Sequence, residues 1–251
     1  MIATTQKEIE ILREGGRILA RILSVVAEAA KPGVETRELD ALAAREIKKA
    51  GAKSSFKGYH VAGRKFPAVL CVSVNDEAVH GLPSKRVLKN GDLVGLDFGI
   101  WYKGLCTDAA LTVGVGLLDE KAKQLNNVTR ESLERAITVC KPGAHIGDIG
   151  HAVQSFAEAR GFGVIRELVG HGVGLAVHED PQIPNWGNIG TGEKLVEGMV
   201  IAIEPMLTEG SPKVYVAPDG WAWKTKDGSR ASHFEHTLII TKTGAEVLTR
   251  P

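Results

Sequence analysis

The chain has 251 residues, with 31 Lys plus Arg against 30 Asp plus Glu and a formal net charge of +1. That balance argues against a dedicated nucleic-acid or membrane-surface binder. Apolar residues make up 43% of the chain, enough for a substantial core, and no apolar run approaches the ~20 residues of a membrane span. Cys71, Cys106 and Cys140 are scattered and never form a Cys-x-x-Cys pair, which fits a reducing compartment and no cysteine zinc cluster. The opening MIATTQKEIEIL lacks the layout of a signal peptide, so the expected location is the cytoplasm.

The first expected element is a helix over about Thr5–Ala30. Thr5-Gln-Lys-Glu8 fits a capping box, and Ile9, Leu12, Gly16, Leu19, Leu23 and Val26 keep helical spacing. A second helix follows Lys31-Pro32-Gly33 and ends near Gly51. Next comes an apolar hairpin, LVGLDFGIWYKGLCTDAAL at residues 93–111, with one acid on each arm, Asp97 and Asp108. A loop centred on Tyr102 and Lys103, with Gly104 left-handed, sets the two acids directly opposite each other. At ~5 Å and an effective dielectric of ~20, two such charges repel by roughly 3 kcal/mol. Two readings remain open here: solvent-facing acids on an outer sheet face, or a shared cation.

The chain then repeats itself. A helix is expected over about Asp119–Thr138, and KPGAHIGDIGHAVQSFAEARGF at 141–162 matches KPGVETRELDALAAREIKKAGA at 31–52. LVEGMVIAIEPM at 195–206 matches LKNGDLVGLDFG at 88–99, aligning Glu204 with Asp97. HFEHTLII at 233–240 matches CTDAALTV at 106–113, aligning Glu235 with Asp108. VHEDP at 177–181 matches VHGLP at 79–83, aligning His178 with His80. A duplicated helix–helix–hairpin unit is the economical account, with halves of about 1–116 and 117–251 in a single domain over 1–251.

Matched acids in both halves point to one site on a pseudo-twofold axis. Four carboxylates, Asp97, Asp108, Glu204 and Glu235, leave a surplus of charge on one divalent cation and are balanced by two. A nitrogen ligand biases such a site toward transition metals. LVGHGVGLAVHEDP at 168–181 supplies His171, between glycines whose small size leaves a metal unobstructed, and His178 seven residues on. A phosphate-cradling glycine loop is disfavoured, since neither Gly-x4-Gly-Lys-Ser/Thr nor Gly-x-Gly-x-x-Gly occurs here.

With GHGVG, HEDPQIPNW, IAIEPM and FEHT in place, the chain resembles the methionine aminopeptidases over essentially its whole length. The short His171–Glu204 and Glu204–Glu235 intervals resemble the type I, bacterial-like form. The resemblance implies an α+β, pita-bread (creatinase/aminopeptidase) fold: two pseudo-symmetric halves around a dinuclear metal site. It implies a metallo-exopeptidase that removes the N-terminal methionine of nascent proteins and peptides when the second residue is small. By that resemblance the attacking group would be a hydroxide held between two divalent ions, cobalt, manganese, iron or zinc. Asp97 would chelate one metal, His171 and Glu204 the other, and Asp108 and Glu235 would bridge both. Glu204 would act as general base. His178 would contact the scissile carbonyl oxygen, and His80 the scissile nitrogen or the intermediate. Tyr59, Cys71 and Trp221, with His80 and His178, would bind the substrate.

The same resemblance implies a monomer that contacts the ribosome transiently and uses no membrane. Three places depart from the family pattern. Val177 stands where many relatives have phenylalanine, and this opens the methionine pocket. His233 replaces glutamine. The Tyr59–Cys71 segment is several residues longer. The rival reading is a proline-specific peptidase on the same fold, which usually carries an extra N-terminal domain.

Overall fold

A computed structural model describes residues 1–61 and 63–250. The duplication expected from sequence is present as two helix pairs. In the first half these are α1 (Gln6–Ala29) and α2 (Thr36–Lys49). In the second they are α3 (Glu120–Val139) and α4 (Ile146–Glu158). The Thr5 hydroxyl accepts from the Glu8 backbone N–H while the Glu8 carboxylate accepts from the Thr5 N–H, so the expected capping box starts α1. Asp119 caps α3 by accepting from the Ala122 N–H.

All four helices serve one nine-stranded sheet. Its main path runs through Lys53–Ser54, Leu93–Tyr102, Leu105–Gly114, Glu235–Ile240, Val200–Ile203, Gly170–Gly172 and Glu179–Ile183. Cys71–Val74 also pairs with Leu93–Tyr102, and Ala245–Val247 with Glu235–Ile240. The halves join in mid-sheet, where Ala110 pairs with Glu235.

Alternation along each strand sorts its residues between the two faces. Leu96, Phe98 and Ile100 pack with Leu19, Leu23, Val26 and Leu39 of α1 and α2. Ile201, Ile203, Leu238 and Ile240 pack with Leu125, Leu133, Ile149 and Val153 of α3 and α4. Each of these side chains, fully buried, contributes about 1.5–3 kcal/mol. The intervening residues, Asp97, Asp108, Ala202 and Glu235, therefore fall on the opposite face.

The first hairpin differs from the sequence expectation in register. Its two-residue loop is Lys103-Gly104, with φ of 47° and 90°, the left-handed pair of a type I′ turn. Tyr102 pairs with Leu105, so Asp97 faces Ala110 and Asp108 faces Gly99. The two acids are diagonal neighbours, about 7 Å apart at Cβ, and not directly opposed. Moving the loop by one residue changes the register by two, so both acids stay on one face.

In the second half, the strands carrying the matched acids both leave the large sheet at the acid. Val200–Ile203 is followed by Glu204 and Pro205, and then by Met206–Thr208 in a separate three-stranded sheet. Its partner does the reverse: Ala231–His233 lies in the small sheet and Glu235–Ile240 in the large one. Pro205 lacks the N–H that a continuous ladder requires.

Candidate active site

Five adjacent strands carry the five expected ligands in spatial order. Cys71, Asp97, Ala110 and Glu235 form one row of paired residues across the sheet. Asp108 lies two residues before Ala110, on the same face. Glu204 follows Ile203, whose partner is His236, so the same register sets Glu204 beside Glu235. His171 pairs with Ala202, two residues before Glu204. One donor atom each from Asp108, His171 and Glu235 lies within 4.8 Å of the others. Glu204 joins them through His171, with Oε1 3.6 Å from Nε2. Asp97 lies outside this group of three but close enough to Asp108 and Glu204 to be repelled by both.

These carboxylates are costly for the protein to hold alone. Asp97, Asp108 and Glu235 are 7%, 2% and 3% exposed, and charges buried to that degree require a partner. Among the described residues no Lys or Arg pairs with them, and Glu204 pairs only with His171 and His233. Burial, and then repulsion from Glu204, pushes Asp108 up to about 8. Burial pushes Glu204 up to about 8. Burial and mutual repulsion hold Asp97 and Glu235 well above the usual carboxylate range. The histidines move the opposite way. Burial, reinforced by His178, lowers His171 to about 3 and His80 to about 4. Burial alone lowers His233 to about 3.

The donor set fits a divalent cation. His171 Nδ1 lies 2.9 Å from the Gly172 carbonyl oxygen. A carbonyl only accepts, so Nδ1 carries the ring proton and Nε2 presents a lone pair. That nitrogen lies 3.6 Å from Glu204 Oε1, and Glu204, Asp108 and Glu235, gathered about this ring, are acceptors once ionised. Among the described residues, Glu235 Oε1 is buried with no hydrogen-bond partner. Convergent acceptors with no donor between them make a cation site, and cation binding would release their protons.

The glycines flanking His171 have a different role from the one expected. A Cβ at Gly170 would lie 2.4 Å from the Ala202 carbonyl oxygen, and one at Gly172 would lie 2.2 Å from that of Asp180. Both are required because backbone from adjacent strands fills the space, irrespective of metal access.

His80 follows the strand Glu77–Val79 with a left-handed φ of 59°, a conformation that costs a non-glycine residue about 1–3 kcal/mol. Gly81 behind it is pressed against the Val72 carbonyl oxygen. His178 is exposed at the rim, its ring edge-to-face with His171 at a centroid distance of 4.4 Å. Tyr59, Cys71 and Trp221 belong to one apolar cluster with Phe66, Ala68 and Leu82. Phe66 packs edge-to-face on Trp221 at 5.1 Å. Val177 is buried in a neighbouring cluster with Val173 and Cys106 that borders Tyr59. In the long Tyr59–Cys71 segment, His60–Val61 pairs with Arg64–Lys65, and Ala62 lies outside the described residues.

Three supporting residues escaped the sequence reading. The Thr237 hydroxyl accepts from the Asp108 N–H at 2.9 Å and donates to the Asp108 carbonyl at 2.7 Å. Its position two residues after Glu235 was the available signal. Asn185 Nδ2 donates to the Glu204 carbonyl at 2.8 Å, a long-range contact with no local signal. Phe66 reaches Trp221 from the segment between Tyr59 and Cys71.

A duplicated sheet on which Asp108, His171 and Glu235 converge, with Glu204 against His171, defines a metallopeptidase-type centre, and residues 10–242 match the model of metallopeptidase family M24. The chain belongs to that family. It is 47% identical to methionine aminopeptidase 1 of Bacillus subtilis (strain 168) over 250 residues, covering 100% of this chain and 99% of the relative. It superimposes on the crystal structure of methionine aminopeptidase from Thermotoga maritima with a TM-score of 0.96, at 49% identity and full coverage of both chains. Prolidase from Pyrococcus furiosus shares the fold with a TM-score of 0.78, at 26% identity, and all of this chain covers 66% of that one. The chain thus has the pita-bread fold expected from its sequence.

Proposed function

We propose that this protein is a methionyl aminopeptidase, removing the N-terminal methionine of peptides and nascent chains whose second residue is small. The observation that carries the reading is the convergence of His171, Glu204, Asp108 and Glu235 beside the apolar cluster of Tyr59, Cys71 and Trp221. The first group is suited to divalent cations, and the second to an unbranched apolar side chain. Relatives matched over their full length are named for this activity.

Asp97 would hold one divalent ion, His171 and Glu204 a second, and Asp108 and Glu235 both. Cobalt, manganese, iron and zinc all suit this mixture of carboxylates and one imidazole. Bound cations would supply Lewis acidity and an acidified water. Glu204, at the bend between two sheets, receives the proton of the attacking water. His178 at the rim donates to the oxygen of the scissile carbonyl, and His80 contacts the scissile nitrogen. The methionine side chain lies against Tyr59, Cys71 and Trp221. This reading carries with it a monomer working in the cytoplasm, in transient contact with the ribosome.

The second reading, a proline-specific peptidase, is supported by the prolidase fold but at lower identity. Purified protein with one added divalent metal should cleave Met-Ala-Ser and leave Met-Lys-Ser and Ala-Pro intact. Cleavage of Ala-Pro without cleavage of Met-Ala-Ser would transfer the assignment to the proline peptidases.

A further inference from the structure

Tyr59 opens the long loop that ends at Cys71, and His178 closes the segment that follows His171. The two side chains meet. The Tyr59 hydroxyl lies 2.7 Å from His178 Nδ1, and the rings stand edge-to-face with centroids 5.1 Å apart. The His178 ring also stands edge-to-face with His171. Both partners are braced from their backbones. The Tyr59 N–H donates to the Phe56 carbonyl, and the Tyr59 carbonyl accepts from the Phe66 N–H, each at 2.8 Å. The Glu179 carboxylate, next to His178, accepts from the N–H groups of Leu175 and Ala176.

A neutral imidazole carries one proton on two nitrogens, and the group bonded to one nitrogen decides where it sits. A phenol is a better donor than acceptor. Tyr59 is half-buried, and burial raises its hydroxyl above the ordinary phenol value, so the oxygen keeps its proton. Among the described residues, His178 Nδ1 is the only protein partner of that hydroxyl.

We propose that Tyr59 is a positioning residue that holds His178 as the Nε2–H tautomer, making the ring a hydrogen-bond donor toward the bound peptide. This rests on the aminopeptidase reading above. A donor at Nε2 stabilises negative charge developing on the scissile oxygen. A ring protonated at Nδ1 presents a lone pair there and repels that charge. Tyr59 therefore does more than wall the pocket. The residue against which the methionine side chain lies also sets the state of the group that acts on the carbonyl, joining recognition to the chemical step.

The test combines a spectrum with kinetics. Long-range proton–nitrogen correlation on ¹⁵N-histidine-labelled, zinc-loaded protein, with His178 assigned by His178→Gln, reads the tautomer directly. The expected result is a protonated Nε2 and a pyridine-like Nδ1, with Tyr59→Phe shifting the ring to a mixture of tautomers. On Met-Ala-Ser that variant should lose on the order of 10–100-fold in kcat, with KM within about twofold and zinc content unchanged. A wild-type His178 protonated at Nδ1 overturns the proposal. So does a Tyr59→Phe enzyme with normal kcat, or one impaired through KM alone. The functional reading fails separately, if wild-type protein cleaves no methionyl peptide, and the spectrum still decides the tautomer.

Discussion

The two halves solve the same problem differently. In the first, Asp97 and Asp108 sit inside long strands of ten residues each and are staggered by two positions. In the second, Glu204 and Glu235 stand side by side where both strands leave the large sheet. The first half has no bend and uses short aspartates in a rigid frame. The second half bends, uses longer glutamates, and adds His171 from a further strand. Duplication supplied two equivalent scaffolds, and their divergence left one half with acids inside continuous strands and the other with acids at a bend beside a histidine.

Removing the shared element should have the largest effect. Chelation is expected to abolish hydrolysis of Met-Ala-Ser, and added manganese, cobalt, iron or zinc to restore it. Activity that survives dialysis against chelator, with metal absent by mass spectrometry, would break the comparison at its root. Separating the halves comes next. Asp97→Ala should lose one ion and His171→Ala the other, whereas Asp108→Ala should lose both and all turnover. Metal stoichiometry by inductively coupled plasma mass spectrometry distinguishes these patterns, and equal loss in all three variants would contradict the division of labour.

His178→Ala should keep its metals and lose about 10²–10³ in kcat, the scale of one missing oxyanion donor. Metal loss with normal turnover on reconstitution would make His178 a ligand instead. A smaller effect tests the electrostatics through stability. Asp108 and Glu204 are raised to about 8 in the metal-free fold, against roughly 4 in an unfolded chain. Below pH ~4 both states bind these protons and the stabilisation is fully present; it is lost as pH rises toward 8. Between pH ~7.5 and 8.5 a histidine in the unfolded chain is nearly neutral, as the buried His80, His171 and His233 are in the fold, so the carboxylates dominate the slope. Calorimetry should therefore show the chelated protein's Tm falling across that window and the metal-loaded protein's staying nearly level.

The smallest effect concerns the seam between the halves. Thr237→Val removes both hydrogen bonds to the Asp108 backbone and should cost about 1–3 kcal/mol in a urea titration. An unchanged midpoint would show that strand pairing alone joins the halves.

The sequence made the duplication, the helix starts and the grouping of Asp108, His171 and Glu235 legible, because helical spacing, Lys-Pro-Gly punctuation and acids in apolar strands are local signals. The register of the first hairpin was misread since Tyr102-Lys103 and Lys103-Gly104 are both plausible two-residue loops. Only the left-handed φ of Lys103, together with Gly104, chooses between them. Acids stand side by side in the other half instead, at Glu204 and Glu235, where the bend that follows them was invisible apart from Pro205. The glycines around His171 were correctly singled out for the wrong reason, because the crowding comes from Ala202 and Asp180 on other strands. Asn185 was out of reach altogether. An asparagine in PNW says nothing of a carbonyl nineteen residues away.

The mid-sheet join has a consequence for how the protein is made. The contact between Asp108 and Thr237 spans 129 residues of chain, and loop closure over such a distance slows folding. On a chain emerging from its N-terminus, Asp97 and Asp108 exist long before Glu235 does. The cluster of Asp108, His171 and Glu235 is complete only once residue 235 has been synthesised and paired, and a chain cut short before it would lack part of that centre.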